Sequence, residues 1–148
     1  MKQVSKLFQE AFLEAKEKGH DHIVVAVDLH GTIVNSTLFN RIKGTEEEKL
    51  AHSIYHPAIE ALTLMTEDPE IEMFIHSGTE PSSLIRIKNS LETCFDIKIS
   101  LGYSATTTIE KQSFSKKPYF GVLLDNKAGF DPEYDWEGIS IFLKSRKK

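Results

Sequence analysis

The sequence predicts an α/β fold in which helices lie on both faces of a central, mostly parallel sheet, giving three layers. Short apolar runs at Ile23–Val27, Ile71–Ile75 and Val122–Leu124 are typical of strands buried inside a parallel sheet. Amphipathic helical patterns alternate with these runs, as they do in α/β proteins. Each run also ends at a polar residue, and ligands of open parallel sheets bind beyond the carboxyl ends of the strands.

Length and composition fit one globular domain over residues 1–148, with 40% hydrophobic and 27% charged residues. The formal net charge of −4 argues against a broad basic surface for nucleic acids, although not against a local basic pocket. The single cysteine, Cys94, excludes an internal disulfide and favours a reducing compartment. We expect Cys94 to be a small buried side chain rather than a nucleophile.

Membrane association is not expected, because no apolar run reaches the ~20 residues that a membrane-spanning helix needs. The N-terminus also lacks the apolar core of a secretory signal. We therefore expect a cytoplasmic protein.

The first half of the chain contains the first two strands and several helices. Its remaining elements are predicted as a helix over Val4–Ala15 that stops at Gly19, a turn at 35–37, a helix capped by Thr45, and a helix from His56 to about Asp68.

The second half has weaker signals. It is predicted to contain a helix beginning at Pro81, a possible third strand within Phe95–Leu101, a loop over 104–115, the strand Val122–Leu124, a last strand with the alternation Ile139–Leu143, and a solvated tail at 144–148.

Three strand ends carry groups suited to phosphoryl chemistry, at Asp28, at Ser77-Gly78 and at Asp125. Two carboxylates can hold one Mg²⁺ through hard oxygen ligands. A hydroxyl, a glycine amide and a lysine ammonium can bind the oxygens of a transferring phosphoryl group. Each feature alone also has a structural explanation, as an Asp that opens a turn or a Ser that caps a helix. Their order along the chain favours a site.

The run Asp28-Leu29-His30-Gly31-Thr32 resembles the first motif of the haloacid dehalogenase-like hydrolase superfamily, a hydrophobic run followed by Asp-x-Asp-Gly-Thr. Ser77-Gly78 is similar to its second motif, a strand ending in Ser or Thr. Lys117-Pro118 followed by Asp125-Asn126 resembles the third and fourth motifs of small members without a cap. The resemblance covers roughly residues 22–132 and implies a Rossmann-like domain with no large cap.

The resemblance also implies a Mg²⁺-dependent phosphatase. Asp28 would be the nucleophile, which forms an aspartyl-phosphate that water then hydrolyses. Mg²⁺ would lie between Asp28, the backbone carbonyl of His30 and Asp125, with Asn126 in the position of a further ligand.

By the same resemblance, Ser77 and the amide of Gly78 would bind phosphoryl oxygens. A lysine, taken as Lys117, would offset the charge of the nucleophile and of the phosphate. At ~3.3 Å per residue, an extended chain from Lys117 to Asp125 would place the amine at the wrong end of the strand. Lys117 therefore requires a turn at 118–121, and Lys116 and Lys111 are the alternatives.

Two residues depart from the phosphatase pattern. His30 stands where the acid/base Asp is usual, and an unperturbed imidazole is about one-quarter protonated at pH 7. His30 could therefore protonate a leaving oxygen and later deprotonate water, or only its backbone could be used. Asn126 replaces a common acid, which would weaken metal binding unless Asp131 compensates.

The predicted function is hydrolysis of a phosphomonoester on a small molecule, a nucleotide or a nucleic-acid end. Without a cap the site would be open, and a second subunit of a homo-oligomer could cover part of it. One alternative is a catalytically weak or inactive protein that binds phosphate or nucleotide. Another is a receiver-like domain that accepts phosphate on Asp28 as a signal.

Overall fold

The computed structural model describes residues 4–101 and 121–146. In this part of the chain the helices are α1 (Val4–Glu17), α2 (Ser36–Arg41), α3 (Glu46–Ser53), α4 (His56–Glu67), α5 (Pro81–Phe95) and α6 (Asp135–Arg146). The strands are β1 (Ile23–Val27), β2 (Ile71–Ile75), β3 (Ser100–Leu101) and β4 (Val122–Leu124). The strands form an all-parallel sheet in the order β3-β2-β1-β4. Helices flank this sheet, which is consistent with the predicted Rossmann-like three-layer fold.

The register of the sheet aligns the ends of three strands. Val27, the last residue of β1, pairs with Ile75 at the end of β2 and with Leu124 at the end of β4. The residues that follow these strands therefore begin at the same level, along one edge of the sheet. Asp28 and Asp125 are two of them, so the fold itself brings the predicted acids to one place.

The core lies against one face of the sheet. Val25 pairs with Met73 and with Val122, and paired residues of parallel strands point to the same side. These strand residues join buried residues of α1, α4, α5 and α6 in one apolar cluster. On the opposite face of the sheet Ala26 and Phe74 are also buried. Burial on both faces explains why β1 is apolar at every position.

The helix signals of the first half are confirmed. Helix α3 begins with a full capping box, in which the Thr45 hydroxyl accepts a hydrogen bond from the Glu48 amide and the Glu48 carboxylate accepts one from the Thr45 amide. The predicted turn at 35–37 is instead the start of α2. The Asn35 side chain accepts a hydrogen bond from the Leu38 amide at 3.1 Å and caps a helix of six residues, too short for periodicity to reveal.

The predicted last strand is wrong, because Asp135–Arg146 is the helix α6. Its buried residues Trp136, Ile139, Ser140 and Leu143 follow helical spacing, and the polar Ser140 interrupts that stripe in the sequence. Ile141, which completes the apparent strand alternation, is 62% exposed. The predicted solvated tail is wrong at Arg146, which ends α6, stacks on Phe12 at 3.7 Å and pairs with Glu70.

Two smaller expectations also need correction. Of the possible third strand, only Ser100–Leu101 is a strand, since α5 continues to Phe95. Cys94 is exposed rather than buried, because in this last turn of α5 it is Phe95 that packs against the core.

Among the residues that the structure describes, no helix has the length and apolarity to cross a membrane. The predicted loop at 104–115 lies outside them. The predictions of a single domain over 1–148 and of a cytoplasmic location stay predictions.

Candidate active site

A cleft of about 520 Å³ opens at the edge of the sheet where β1, β2 and β4 end. The structure brings predicted residues from all three strand ends to this cleft, together with residues that the sequence did not indicate. The residues that line it are Asp28, His30, Ser36, Asn40, Ser77, Gly78, Thr79, Asn126 and Lys127.

Asp28 directly continues the sheet. Its amide donates to the Leu124 carbonyl at 2.8 Å, so β1 and β4 still pair at this residue. Its partly buried carboxylate accepts a weak hydrogen bond from the Thr32 hydroxyl at 3.4 Å. Burial, followed by the charge of Asp125, raises the pKa of the Asp28 carboxyl. Asp125 therefore disfavours ionisation of Asp28, and a cation between the two carboxylates would offset that repulsion.

Asp125 is held by the turn that follows β4. Its carboxylate accepts a hydrogen bond from the Lys127 amide at 2.9 Å and caps the single 3₁₀ turn Asn126–Ala128. Its charge also raises the pKa of the Asp28 carboxyl. The bond to Lys127 orients the carboxylate before any ligand binds.

Gly31 makes the turn after β1 possible. Its φ of 83° is in the left-handed region, and a Cβ there would lie 2.6 Å from the Asn126 amide nitrogen. The backbone conformation therefore favours glycine, and a Cβ at this position would also force the exposed Asn126 side chain to move. The turn closes with a hydrogen bond from the Gly31 amide to the Val34 carbonyl at 2.8 Å.

Thr32 joins the loops that follow β1 and β4. It is fully buried, and its hydroxyl accepts a hydrogen bond from the Asn126 amide at 3.0 Å. The same hydroxyl lies 3.4 Å from the side-chain oxygens of both Asp28 and Asn126. The indole N–H of Trp136 donates to the Thr32 carbonyl at 2.8 Å. Thr32 thus holds together the two loops that carry Asp28 and Asn126.

His30 lines the cleft with a partly buried ring. The ring packs edge-on against Phe39 of α2, with 4.9 Å between centroids and planes at 82°. Burial lowers the pKa of His30 below its ordinary value, so the neutral imidazole is favoured at pH 7. This environment favours a proton acceptor over a proton donor.

Ser77 shares a hydrogen bond of 2.9 Å with the Thr79 hydroxyl and accepts one of 3.2 Å from the Thr79 amide. It does not cap α5, whose N-cap residue is Glu80. The interpretation of Ser77 as the N-cap of α5 is therefore wrong. Gly78 is exposed, with no atom within 4 Å of the Cβ position, so its backbone is open to a ligand.

Lys117 and its alternatives Lys116 and Lys111 lie outside the described residues. Asp131 does not line the cleft: its carboxylate accepts a hydrogen bond from the Glu133 amide, and its own amide donates to Asp135 at the start of α6. The structure therefore gives Asp131 a local role in starting α6.

Within residues 4–101 and 121–146, no group of three or more His, Cys, Asp or Glu side chains is placed to hold a metal ion. Asp28 lines the cleft, whereas Asp125 acts on Asp28 from the turn that follows β4 and does not line the cleft itself. Mg²⁺ usually binds one or two carboxylates and completes its octahedron with water and substrate phosphate. The two acids thus fit Mg²⁺ better than a metal that needs a cage of protein ligands.

Comparison of the chain with protein-family models, with curated proteins and with solved structures gave no significant match.

Sequence reasoning missed four residues of the cleft: Ser36, Asn40, Thr79 and Lys127. Ser36 and Asn40 are four residues apart, so they share a face of α2, but that helix was not predicted. Lys127 had a visible signal, since it directly follows Asp125-Asn126 in the sequence.

Proposed function

We propose that this protein is a Mg²⁺-dependent phosphomonoester hydrolase that acts through an aspartyl-phosphate on Asp28. The observation that carries the proposal is the pairing of Asp28 with Asp125 at the carboxyl edge of a parallel sheet. The charge of Asp125 raises the pKa of the Asp28 carboxyl, which is unfavourable for the fold alone, and such groups cluster at functional sites. The resemblance of the surrounding motifs to haloacid dehalogenase-like hydrolases supports the same conclusion.

In the first step an Asp28 carboxylate oxygen attacks the substrate phosphorus. A new P–O bond forms to Asp28 while the P–O bond to the leaving group breaks. The Ser77 hydroxyl and the Gly78 amide, which border the same cleft, bind the phosphoryl oxygens. The leaving oxygen takes a proton, from His30 in the fraction of molecules in which that imidazole is protonated.

In the second step water attacks the phosphorus of the aspartyl-phosphate, and the bond between phosphorus and Asp28 breaks. Inorganic phosphate leaves and the Asp28 carboxylate is regenerated. The neutral imidazole of His30, favoured by its burial, accepts the proton of the attacking water.

The residues that would hold Mg²⁺ are Asp28, the backbone carbonyl of His30, and Asp125, with Asn126 adjacent. When bound, the ion neutralises the two carboxylates and polarises a phosphoryl oxygen. Thr32 and Lys127 orient the two acids through the hydrogen bonds described above.

The test is phosphate release from an aryl phosphate, with and without Mg²⁺, by wild type, Asp28→Asn and His30→Ala. We expect Mg²⁺-dependent turnover in wild type and none in Asp28→Asn. His30→Ala should lose about a hundredfold or more if its imidazole transfers protons. Activity of Asp28→Asn equal to wild type would contradict the proposal.

A second candidate function is binding of phosphate or nucleotide without turnover. Burial lowers the pKa of His30, which favours this second function because a neutral imidazole is a poor donor of the proton that the leaving group needs. Mg²⁺-dependent phosphate binding by wild type, with no release of phosphate from any substrate in a broad panel of phosphate esters, would support this function over the hydrolase. The same panel would identify the substrate, which we propose is a phosphorylated small molecule or a nucleotide or nucleic-acid end.

A further inference from the structure

We propose that Lys127 supplies the positive charge that binds the substrate's phosphate, the role that the sequence pattern suggests for Lys117. The inference rests on the proposed function of the cleft. Among the described residues that line the cleft, Lys127 is the only one with a lysine or arginine side chain. It projects from the same turn that presents Asp125 and Asn126.

The backbone of Lys127 is fixed relative to Asp125. Its amide donates to the Asp125 carboxylate at 2.9 Å, and the 3₁₀ turn that contains it ends at Gly129, whose φ is 98°. The main chain of this lysine is thus one hydrogen bond away from a proposed metal ligand. Its flexible four-carbon side chain can then follow a bound phosphate.

The side chain is available for a ligand. Lys127 is exposed and forms no ion pair with another residue in the described ranges 4–101 and 121–146. By contrast, other surface lysines such as Lys18, Lys88 and Lys144 pair with neighbouring glutamates. Within these ranges, phosphate binding would therefore cost the Lys127 ammonium no ion pair.

The charge balance of the cleft calls for such a cation. Asp28 and Asp125 together offset the charge of one Mg²⁺, so a phosphomonoester dianion would enter without compensation. One lysine at the rim removes half of the remaining negative charge.

Inorganic phosphate is the probe, and its affinity is measured in the presence of Mg²⁺ by thermal shift and by product inhibition. We expect Lys127→Met to weaken phosphate binding and to raise KM for an aryl phosphate about tenfold, and Lys127→Arg to retain most of the affinity. Because the contact is charged and exposed, added NaCl should weaken phosphate binding more in wild type than in Lys127→Met. Lys6→Met, on the exposed face of α1, is the matched control.

Lys117→Met is measured in parallel as the rival. Wild-type phosphate affinity and salt dependence in Lys127→Met would overturn the inference, whatever Lys117→Met does. If wild type binds phosphate through Lys127 but releases none from any ester, the inference stands and the hydrolase proposal fails. If wild type neither binds phosphate nor hydrolyses esters, both are wrong.

Discussion

Asp28 lies in surroundings that oppose its charge. Burial and the neighbouring Asp125 raise its pKa, and hydrogen bonds from the Leu29 amide and the Thr32 hydroxyl offset only part of that effect. For an acid whose pKa is higher in the folded than in the unfolded state, ionisation favours unfolding. The contribution of Asp28 to stability is therefore favourable at low pH and is lost as pH rises through its folded pKa.

Asp28→Asn should consequently stabilise the fold in EDTA at pH 7, by about 1 kcal/mol at most since the site is partly solvated. The difference from wild type should shrink towards pH 3, where the wild-type carboxyl is protonated. Thermal unfolding at both pH values measures this effect, with the exposed Glu10→Gln as control. Added Mg²⁺ should then stabilise wild type but not the variant. A variant less stable than wild type at pH 7 in EDTA would contradict the prediction.

Gly31 provides a second test at this scale. Gly31→Ala should cost about 2 kcal/mol or more, because it adds a clash with Asn126 to the strain of a left-handed alanine. Gly19→Ala is the matched control, since Gly19 has a φ of 77° and open space around its Cβ position. Denaturant unfolding gives the free energy of unfolding of both variants. The loss in Gly19→Ala measures backbone strain alone, and the additional loss in Gly31→Ala measures the clash with Asn126.

The double variant Gly31→Ala/Asn126→Ala lacks the clashing side chain. Its loss of unfolding free energy, measured against Asn126→Ala alone, should therefore equal that of Gly19→Ala. If Gly31→Ala costs no more than Gly19→Ala, the approach of Asn126 is not what requires glycine.

At the scale of single residues, the sequence was sufficient to place a polar residue that directly follows a buried strand. Asp28, Ser77 and Asp125 could be found in this way, because hydropathy marks the strand and topology places its end. The position of Lys127 in the cleft and the contact of Phe39 with His30 could not be predicted, because they depend on a turn and on a short helix that only the folded chain defines.

At the scale of elements, a helix or strand could be predicted where its pattern of apolar residues was long and regular. Strand β1 and helices α1, α4 and α5 have apolar runs or stripes long enough to identify. Helix α2 has only six residues. In α6 the buried stripe includes Ser140 and the exposed face includes Ile141, so tertiary packing overrides a pattern that resembles a strand.

Helix α6 contributes to the site through Trp136, the only tryptophan of the chain. Its indole N–H donates to the Thr32 carbonyl, and its ring packs edge-on against Phe130 with 4.8 Å between centroids. Trp136→Phe keeps an aromatic ring but leaves the buried carbonyl of Thr32 without this donor.

We expect Trp136→Phe to lose about 1–3 kcal/mol in urea unfolding followed by circular dichroism. Mg²⁺ should also stabilise it less than it stabilises wild type, because Thr32 positions Asp28. Tyr134→Phe, at a residue 71% exposed, is the control and should change neither quantity. Unchanged stability of Trp136→Phe would mean that α6 does not support the loop that follows β1 and contains Thr32.

At the scale of the whole molecule, the walls of the cleft are tied together. The Glu46 carboxylate of α3 accepts hydrogen bonds from Ser83 and Arg86 of α5, each at 3.4 Å. Helix α5 begins just after the loop that carries Ser77, and α3 follows the helix that carries Asn40. These partly exposed contacts contribute little energy, but they join the segment on one side of the cleft to the loop on the other.

The register of the parallel sheet determines which residues meet at the proposed active site. Pairing of Val27 with both Ile75 and Leu124 places one acid beside another and a serine loop near both. The chemistry proposed here requires that one of these acids, Asp28, receives the phosphoryl group.

The most direct test is to quench the Mg²⁺-dependent reaction with an aryl phosphate in acid, reduce it with borohydride and sequence the peptides by mass spectrometry. Borohydride converts an aspartyl-phosphate to homoserine. The proposed mechanism predicts homoserine at position 28 in wild type and its absence when Mg²⁺ or substrate is omitted. Turnover accompanied by modification at another residue would contradict it.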